Sequence, residues 1–144
     1  MSSPLSTLGD AVAAALNAGT WPLPFTAARK AQPLLDLEVL TGLAVLVVPG
    51  DRHVTTDDSD HQRLDVTVNL QQRLSVDPDQ NVDAFEALSD LTSAIADALR
   101  NAYAPGTAWW CRETTDGYDK NELYLYGEYW GYIDCVFELI TDFA

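Results

Sequence analysis

The sequence predicts a single α+β domain over residues 1–144, in which a mixed, mostly antiparallel β-sheet is flanked by one long helix and one or two short ones. Three observations lead there. Leu64, Val66, Val68 and Leu70 alternate with Asp65, Thr67, Asn69 and Gln71, the two-residue period of a half-buried strand. Phe85, Leu88, Leu91, Ile95, Ala98 and Leu99 recur at helical steps within residues 81–102, and strand-like segments lie on both sides of that helix. Only this helix is long enough to serve as a crossover, so the remaining neighbours are expected to pair antiparallel.

The N-terminal helix runs from Pro4 to Asn17, with Leu5, Leu8, Val12, Ala15 and Leu16 on one stripe and Gly19 as a left-handed stop. Trp21-Pro22-Leu23-Pro24 takes an extended path, because a residue before proline is pushed out of the helical region. A strand from Phe25 to Gln32 follows and Pro33 closes it. Residues 34–40 make at most one helical turn before Gly42. The run Leu43-Ala44-Val45-Leu46-Val47-Val48 is apolar throughout and rich in valine, which suits a central strand covered on both faces. Pro49-Gly50-Asp51 ends it.

From Arg52 to Arg63 the chain turns polar, and an exposed loop or hairpin tip is expected. The register of the alternating strand after it is held firmly, since a one-residue slip would bury Asp65. Residues 75–80 read as a loop that feeds the long helix. Asp83 and Glu86 near its start and Arg100 near its end complement the helix dipole, and Pro105-Gly106 terminates it. The last third is strand material rich in aromatics: Thr107 to Glu113, a turn over residues 114–117, Leu123 to Tyr126, and Tyr132 to Ile140. In the final strand Ile133, Cys135, Phe137 and Leu139 take the inner positions.

Charge narrows the function. Twenty-two Asp and Glu against 8 Lys and Arg leave a net charge of −14, and only Arg29 and Lys30 among the basic residues are adjacent. Phosphate recognition needs clustered cations, so nucleic acid is not an expected ligand, and anionic membranes are disfavoured for the same reason. Met1-Ser2-Ser3-Pro4 lacks the features of a secretory signal and no apolar window reaches membrane length, which predicts a protein retained in the cytoplasm. A chain of this size buries about two-thirds of its unfolded surface, enough to fold without a disulfide or a structural metal. Cys111 and Cys135 are too few for a disulfide framework and too far apart for a metal knuckle, so both read as small core residues.

Catalytic patterns are absent: no G-x-S-x-G, no glycine-rich phosphate loop and no C-x-x-C. His53 and His61 flank the acidic loop and could join its carboxylates around a metal, but the spacing matches no known loop geometry, and a solvated polar loop is the preferred reading. A cysteine-histidine pair would need a thiol to leave the core. Asp134 and Glu138 share one face of the last strand and read as its wet side rather than as a glycosidase pair. Neither a catalytic residue nor a cofactor is therefore expected.

Aromatic side chains crowd the segment from Trp109 to Tyr132, and alternation puts about half of them inside. The others supply rigid contact area of the kind enriched at interfaces, although any one ring could equally fill the core. Stacking on single-stranded nucleic acid needs basic neighbours, whereas here they are Glu113, Asp116, Glu122, Glu128 and Asp134, so a protein partner is favoured. The interface candidates are Trp110, Tyr124, Tyr126, Tyr129 and Trp130, together with Arg52, His53, Asp57, Asp58, Asp60 and His61 of the polar segment.

The layout is similar to that of a known family. A short N-terminal helix, a proline-bracketed strand, Leu35-Asp36-Leu37 leading into the apolar strand that ends Val47-Val48-Pro49, an alternating strand, one long helix, then Tyr118-Asp119 followed by Leu123, and a Phe137-x-Leu139 strand resemble the tail terminator, or tail-completion, proteins of long-tailed bacteriophages. That resemblance covers most of the chain. It implies a homo-oligomeric ring, commonly a hexamer, that caps the finished tail tube, joins it to the head connector and lets DNA pass without specific binding. It also implies assembly in the host cytoplasm and residence in the neck of the virion. A head-completion protein of the same virion is the alternative, and a small acidic hydrolase and a DNA-mimicking inhibitor are readings from other classes. A hydrolase should show a carboxyl with a strongly raised pKa in a closed pocket, and a mimic should bind a basic partner with strong salt dependence.

Overall fold

Three helices begin where a short polar side chain can accept hydrogen bonds from backbone donors left over in the first turn. Ser3 accepts from the Ser6 amide at 3.1 Å and opens α1 (Pro4–Ala18). Asp77 accepts from the Asp79 amide at 3.0 Å and opens α2 (Pro78–Leu99). Asp119 accepts from the amides of Asn121 and Glu122 at 2.9 and 3.2 Å and opens α3 (Lys120–Tyr126). The strands are β1 (Ala27–Arg29), β2 (Ala44–Thr55), β3 (His61–Arg73), β4 (Trp109–Tyr118) and β5 (Glu128–Ile140). These elements come from a computed structural model, which describes residues 3–31, 42–55, 61–74 and 77–140.

The five strands form one mixed sheet in the order β1-β2-β3-β5-β4. β1 runs parallel to β2, and the other three pairings are antiparallel. Because β3 and β4 are both antiparallel to β5, they run parallel to each other, and α2 is the crossover that joins them. The α+β class and the crossover role of the long helix are as the sequence predicts.

The alternation in β3 decides which side is packed. Leu64, Val66, Val68 and Leu70 are all buried, beside Val45 and Val47 of β2, Cys111 of β4, and Ile133, Cys135 and Phe137 of β5. Against this face α1 brings Leu8, Val12 and Leu16, and α2 brings Leu88, Leu91 and Ile95. Each such side chain contributes roughly 1.5–3 kcal/mol on leaving water, so both helices are held to one side of the sheet. No described helix covers the middle of the opposite face over Thr67 and Asp134, whose hydrogen bond is exposed.

Several expectations need correcting. Of the strand expected from Phe25 to Gln32, the described residues show Ala27–Arg29, with Asn17 of α1 occupying both backbone groups of Ala27, at 2.7 and 3.0 Å, while Gln32 lies outside the described residues. Gly19 is extended (φ −78°), not left-handed; a Cβ there would lie 2.8 Å from the Trp21 indole, whose Nε1 donates to the Leu16 carbonyl at 2.7 Å. The polar stretch is paired strand on both sides, with His53 opposite Arg63 and Thr55 opposite His61, since polar composition reports exposure and not loss of ladder bonding. Asp57, Asp58 and Asp60 lie outside the described residues, as does the expected helical turn over 34–40.

Helix α2 starts at Pro78, inside the expected loop, because proline has no amide to lose at a first helical position. It stops at Leu99, with Arg100 as its cap and Asn101 at φ 62°, so the acidic residue of its first turn is Asp79 rather than Asp83 or Glu86, and its last turn holds no basic residue. The expected turn over 114–117 is continuous strand, and Leu123–Tyr126 is helix. The last strand starts at Glu128, four residues before the expected Tyr132.

Candidate functional site

The face of the sheet away from α1 and α2 carries the odd-numbered residues of β3 and the even-numbered residues of β5, which antiparallel pairing sets side by side. Polar groups there bond across the strands instead of pointing freely into water. Thr67 donates to Asp134 Oδ1 at 2.8 Å, the Trp130 indole donates to Asn69 Oδ1 at 3.1 Å, and Gln71 donates to Glu128 Oε1 at 3.3 Å. At the end near the hairpin, Arg112 Nη1 sits 2.6 Å from Glu138 Oε1, with His61 Nε2 at 3.6 Å from the same oxygen.

This ladder corrects the expectation of an evenly wet face. Asn69, Gln71, Glu128 and Glu138 are buried, and the carboxyl of Glu138 lies beside the Arg112 guanidinium. Burial, reinforced by the charge of Glu122, raises the pKa of Glu128, while the bond from Gln71 and the charge of Arg73 act in the opposite direction. Raised as it is, this carboxyl is enclosed by strand neighbours. Two concave regions are a small apolar recess between α1 and α2, lined by Val12, Leu99, Tyr103 and Phe137, and a shallow open groove bordered by Asp51, Arg63, Asp65, Thr67 and Asp134. Neither is lined by Glu128.

A second feature lies at α3. Its Asp119 cap and its C-terminal Gly127, left-handed at φ 64°, hold a seven-residue helix before β5. Tyr124, Leu125 and Tyr126 are consecutive and exposed, Tyr124 at 84%. With Asp119 and Glu122 on the same short element, they form an apolar ridge with an acidic border. Large rigid rings with polar tips suit a protein contact.

The third feature is the β2–β3 hairpin. A bulge between Pro49 and Arg52 shifts the register so that Asp51 and His53 approach Asp65. His53 Nε2 is 3.8 Å from Asp65 Oδ2, and Arg63 Nε is 3.5 Å from Asp65 Oδ1.

The sequence candidates thus separate. Tyr124 and Tyr126 form the ridge on α3; Arg52, His53 and His61 are exposed on the hairpin, where Arg52 donates to Gln62 at 3.0 Å; Trp110 and Trp130 are half-buried on the open face. Tyr129 does not belong with them. It is buried at 1% exposure, its hydroxyl pairs with Thr92 at 2.8 Å, and its ring packs on Phe85 and Tyr118. Its parity with Ile133 and Cys135 along β5 was the available signal. Leu125, Arg112, Asp51 and Asp65 were not singled out as site residues, and Glu138 was read only as part of the wet side of the last strand, since only strand pairing and the α3 fold bring them into these clusters.

Cys111 and Cys135 are buried free thiols on the helix-covered face, as the sequence predicts. They are neighbours: the contact with Cys111, together with burial, holds the Cys135 thiol well above its usual pKa, while the same contact lowers that of Cys111. No described helix is long and apolar enough to cross a membrane. No protein-family model matches the chain, and no curated protein is detectably similar to it in sequence.

Proposed function

We propose that this protein is a structural assembly component of a long-tailed bacteriophage, a tail terminator whose copies form a ring, commonly of six, that caps the tail tube and joins it to the head connector. The observation that carries the reading is the exposed Tyr124-Leu125-Tyr126 ridge, three consecutive large side chains left in water on a helix held by its own caps. Buried against a neighbouring copy or the tube, each would contribute roughly 1.5–3 kcal/mol, enough to make a specific contact. The succession of elements that resembles the family supports the same reading, and so does the net charge of −14. An acidic wall repels DNA and so lets it slide past without adhering, and screening keeps that repulsion local, within about 8 Å at physiological salt.

The test is assembly with the cognate tail tube protein, followed by light scattering and electron microscopy. Wild-type protein should form closed rings that cap tubes and fix their length. Tyr124→Ala with Tyr126→Ala should remain folded and lose both properties. A wild-type chain that stays monomeric beside growing tubes would refute the proposal.

A further inference from the structure

We propose that Asp51, His53 and Asp65 form a binding site for a divalent transition cation of the zinc class. The inference does not rest on ring formation. Asp51 and His53 are two residues apart on β2, just past the bulge, and Asp65 lies on the adjoining β3, two residues from the Arg63 that pairs with His53. One ligand atom from each of the three lies within 4.8 Å of the others. Bonds of about 2.0–2.2 Å to one ion put ligand atoms roughly 3–4.4 Å apart, so small rotamer adjustments at exposed side chains suffice to close the site.

Asp65 is already arranged for the task. It divides its two oxygens, with Oδ2 facing His53 at 3.8 Å and Oδ1 facing Arg63 Nε at 3.5 Å. The Oδ1 and Nε atoms are shut off from solvent and, at that separation, make no full hydrogen bond. Arg63 therefore stands beside this carboxylate as an ion-pair partner, within reach of a tighter contact if Oδ2 turns to a cation. Two carboxylates against one guanidinium leave the local charge negative, within a chain of net charge −14.

The donor set selects the ion. An imidazole nitrogen suits zinc, cobalt, nickel or copper, whereas calcium and magnesium take oxygen donors throughout. Three protein ligands leave at least one coordination position for water or for a group from a partner.

Isothermal titration calorimetry of the full chain with zinc chloride near neutral pH tests this, with calcium and magnesium chloride as comparisons. Zinc should bind one-to-one in the micromolar range, and calcium and magnesium should give no saturable heat. His53→Ala and Asp65→Asn should each weaken zinc binding by about ten-fold or more, while His61→Ala, which alters the neighbouring Glu138 cluster, should leave it unchanged. Cobalt(II) should develop a visible absorption band that His53→Ala removes. All of these positions are at least partly exposed, and circular dichroism of each variant checks that it is folded. The proposal is overturned if millimolar zinc gives no one-to-one binding, if affinity survives His53→Ala, or if calcium binds as tightly as zinc.

Discussion

On the side of the sheet covered by α1 and α2, the strands present Val47, Leu64, Val68 and Phe137, all buried in one apolar core, whereas on the other side Thr67, Asn69, Asp134 and Glu138 meet through hydrogen bonds and ion pairs. The same strands build both sides, because successive side chains of a strand point opposite ways. Free energy is distributed very differently between them. On the covered side it comes from surface removed from water and from close packing, so a lost side chain leaves a cavity. On the open side each bond replaces one to water, and a single loss is small unless it strands a buried charge.

The largest effect should separate the sides most sharply. Phe137→Ala, at a position 1% exposed, should lower stability by about 3–5 kcal/mol in urea denaturation. Thr67→Ala across the sheet, which removes only an exposed bond to Asp134, should lower it by less than about 1 kcal/mol. Equal losses would break the distinction. Next comes Gly131→Ala. A Cβ there would lie 2.6 Å from the Tyr129 ring and 3.0 Å from Thr92 Oγ1, and shifting that packed pair should destabilise the fold by about 1–3 kcal/mol. Tyr129→Phe tests a polar contact inside the core. Thr92 keeps its bond to the Leu88 carbonyl, so the loss should be only about 0.5–1.5 kcal/mol by the same measurement.

Glu128→Gln should go the other way. Burial, then the charge of Glu122, raises this carboxyl's pKa in the folded state. Its contribution to stability is therefore fully present below the unfolded pKa and is lost as pH rises through the folded one. At pH 7 the replacement should stabilise the protein, by under about 1 kcal/mol, and the gain should shrink as pH falls through the carboxylate range. Urea curves at pH 7 and pH 4 would show whether the sign is right. Tyr124→Ala should have the smallest effect on stability, within about 0.5 kcal/mol, because the ring is 84% exposed, and under the proposed function it should weaken ring assembly measurably by light scattering.

Much of the covered side was legible in the chain. The two-residue period of Leu64 to Leu70 and the helical stripe of Leu88, Leu91 and Ile95 mark inner faces directly, and both are buried as read. The segment Leu123–Tyr126 misleads because Leu123 and Leu125 alternate like a short strand, and so few residues cannot separate the two periods. Its flanks held the better signal: Asp119 caps one end and Gly127 takes the left-handed position at the other. At 114–117, glycine and polar residues suggest a turn, but Gly117 is there to let Tyr132 cross, since a Cβ would lie 2.7 Å from the Tyr132 hydroxyl. Of the Asp51, His53 and Asp65 cluster only His53 was legible as a possible ligand, because its meeting with the two carboxylates needs the bulge and the β2–β3 register together.

What the sequence determined alone is whatever depends on near neighbours or on simple sums: where the long helix lies, which side of β3 is apolar, and a net charge of −14. Dihedral preference, periodicity and net charge are local or additive properties, so they survive without coordinates. Tertiary structure decided the strand order β1-β2-β3-β5-β4, the burial of Asn69, Gln71, Glu128 and Glu138, and the meeting of Arg112 with Glu138. Those outcomes depend on which strands pair and in what register, a choice made by the whole core at once and written in no single segment.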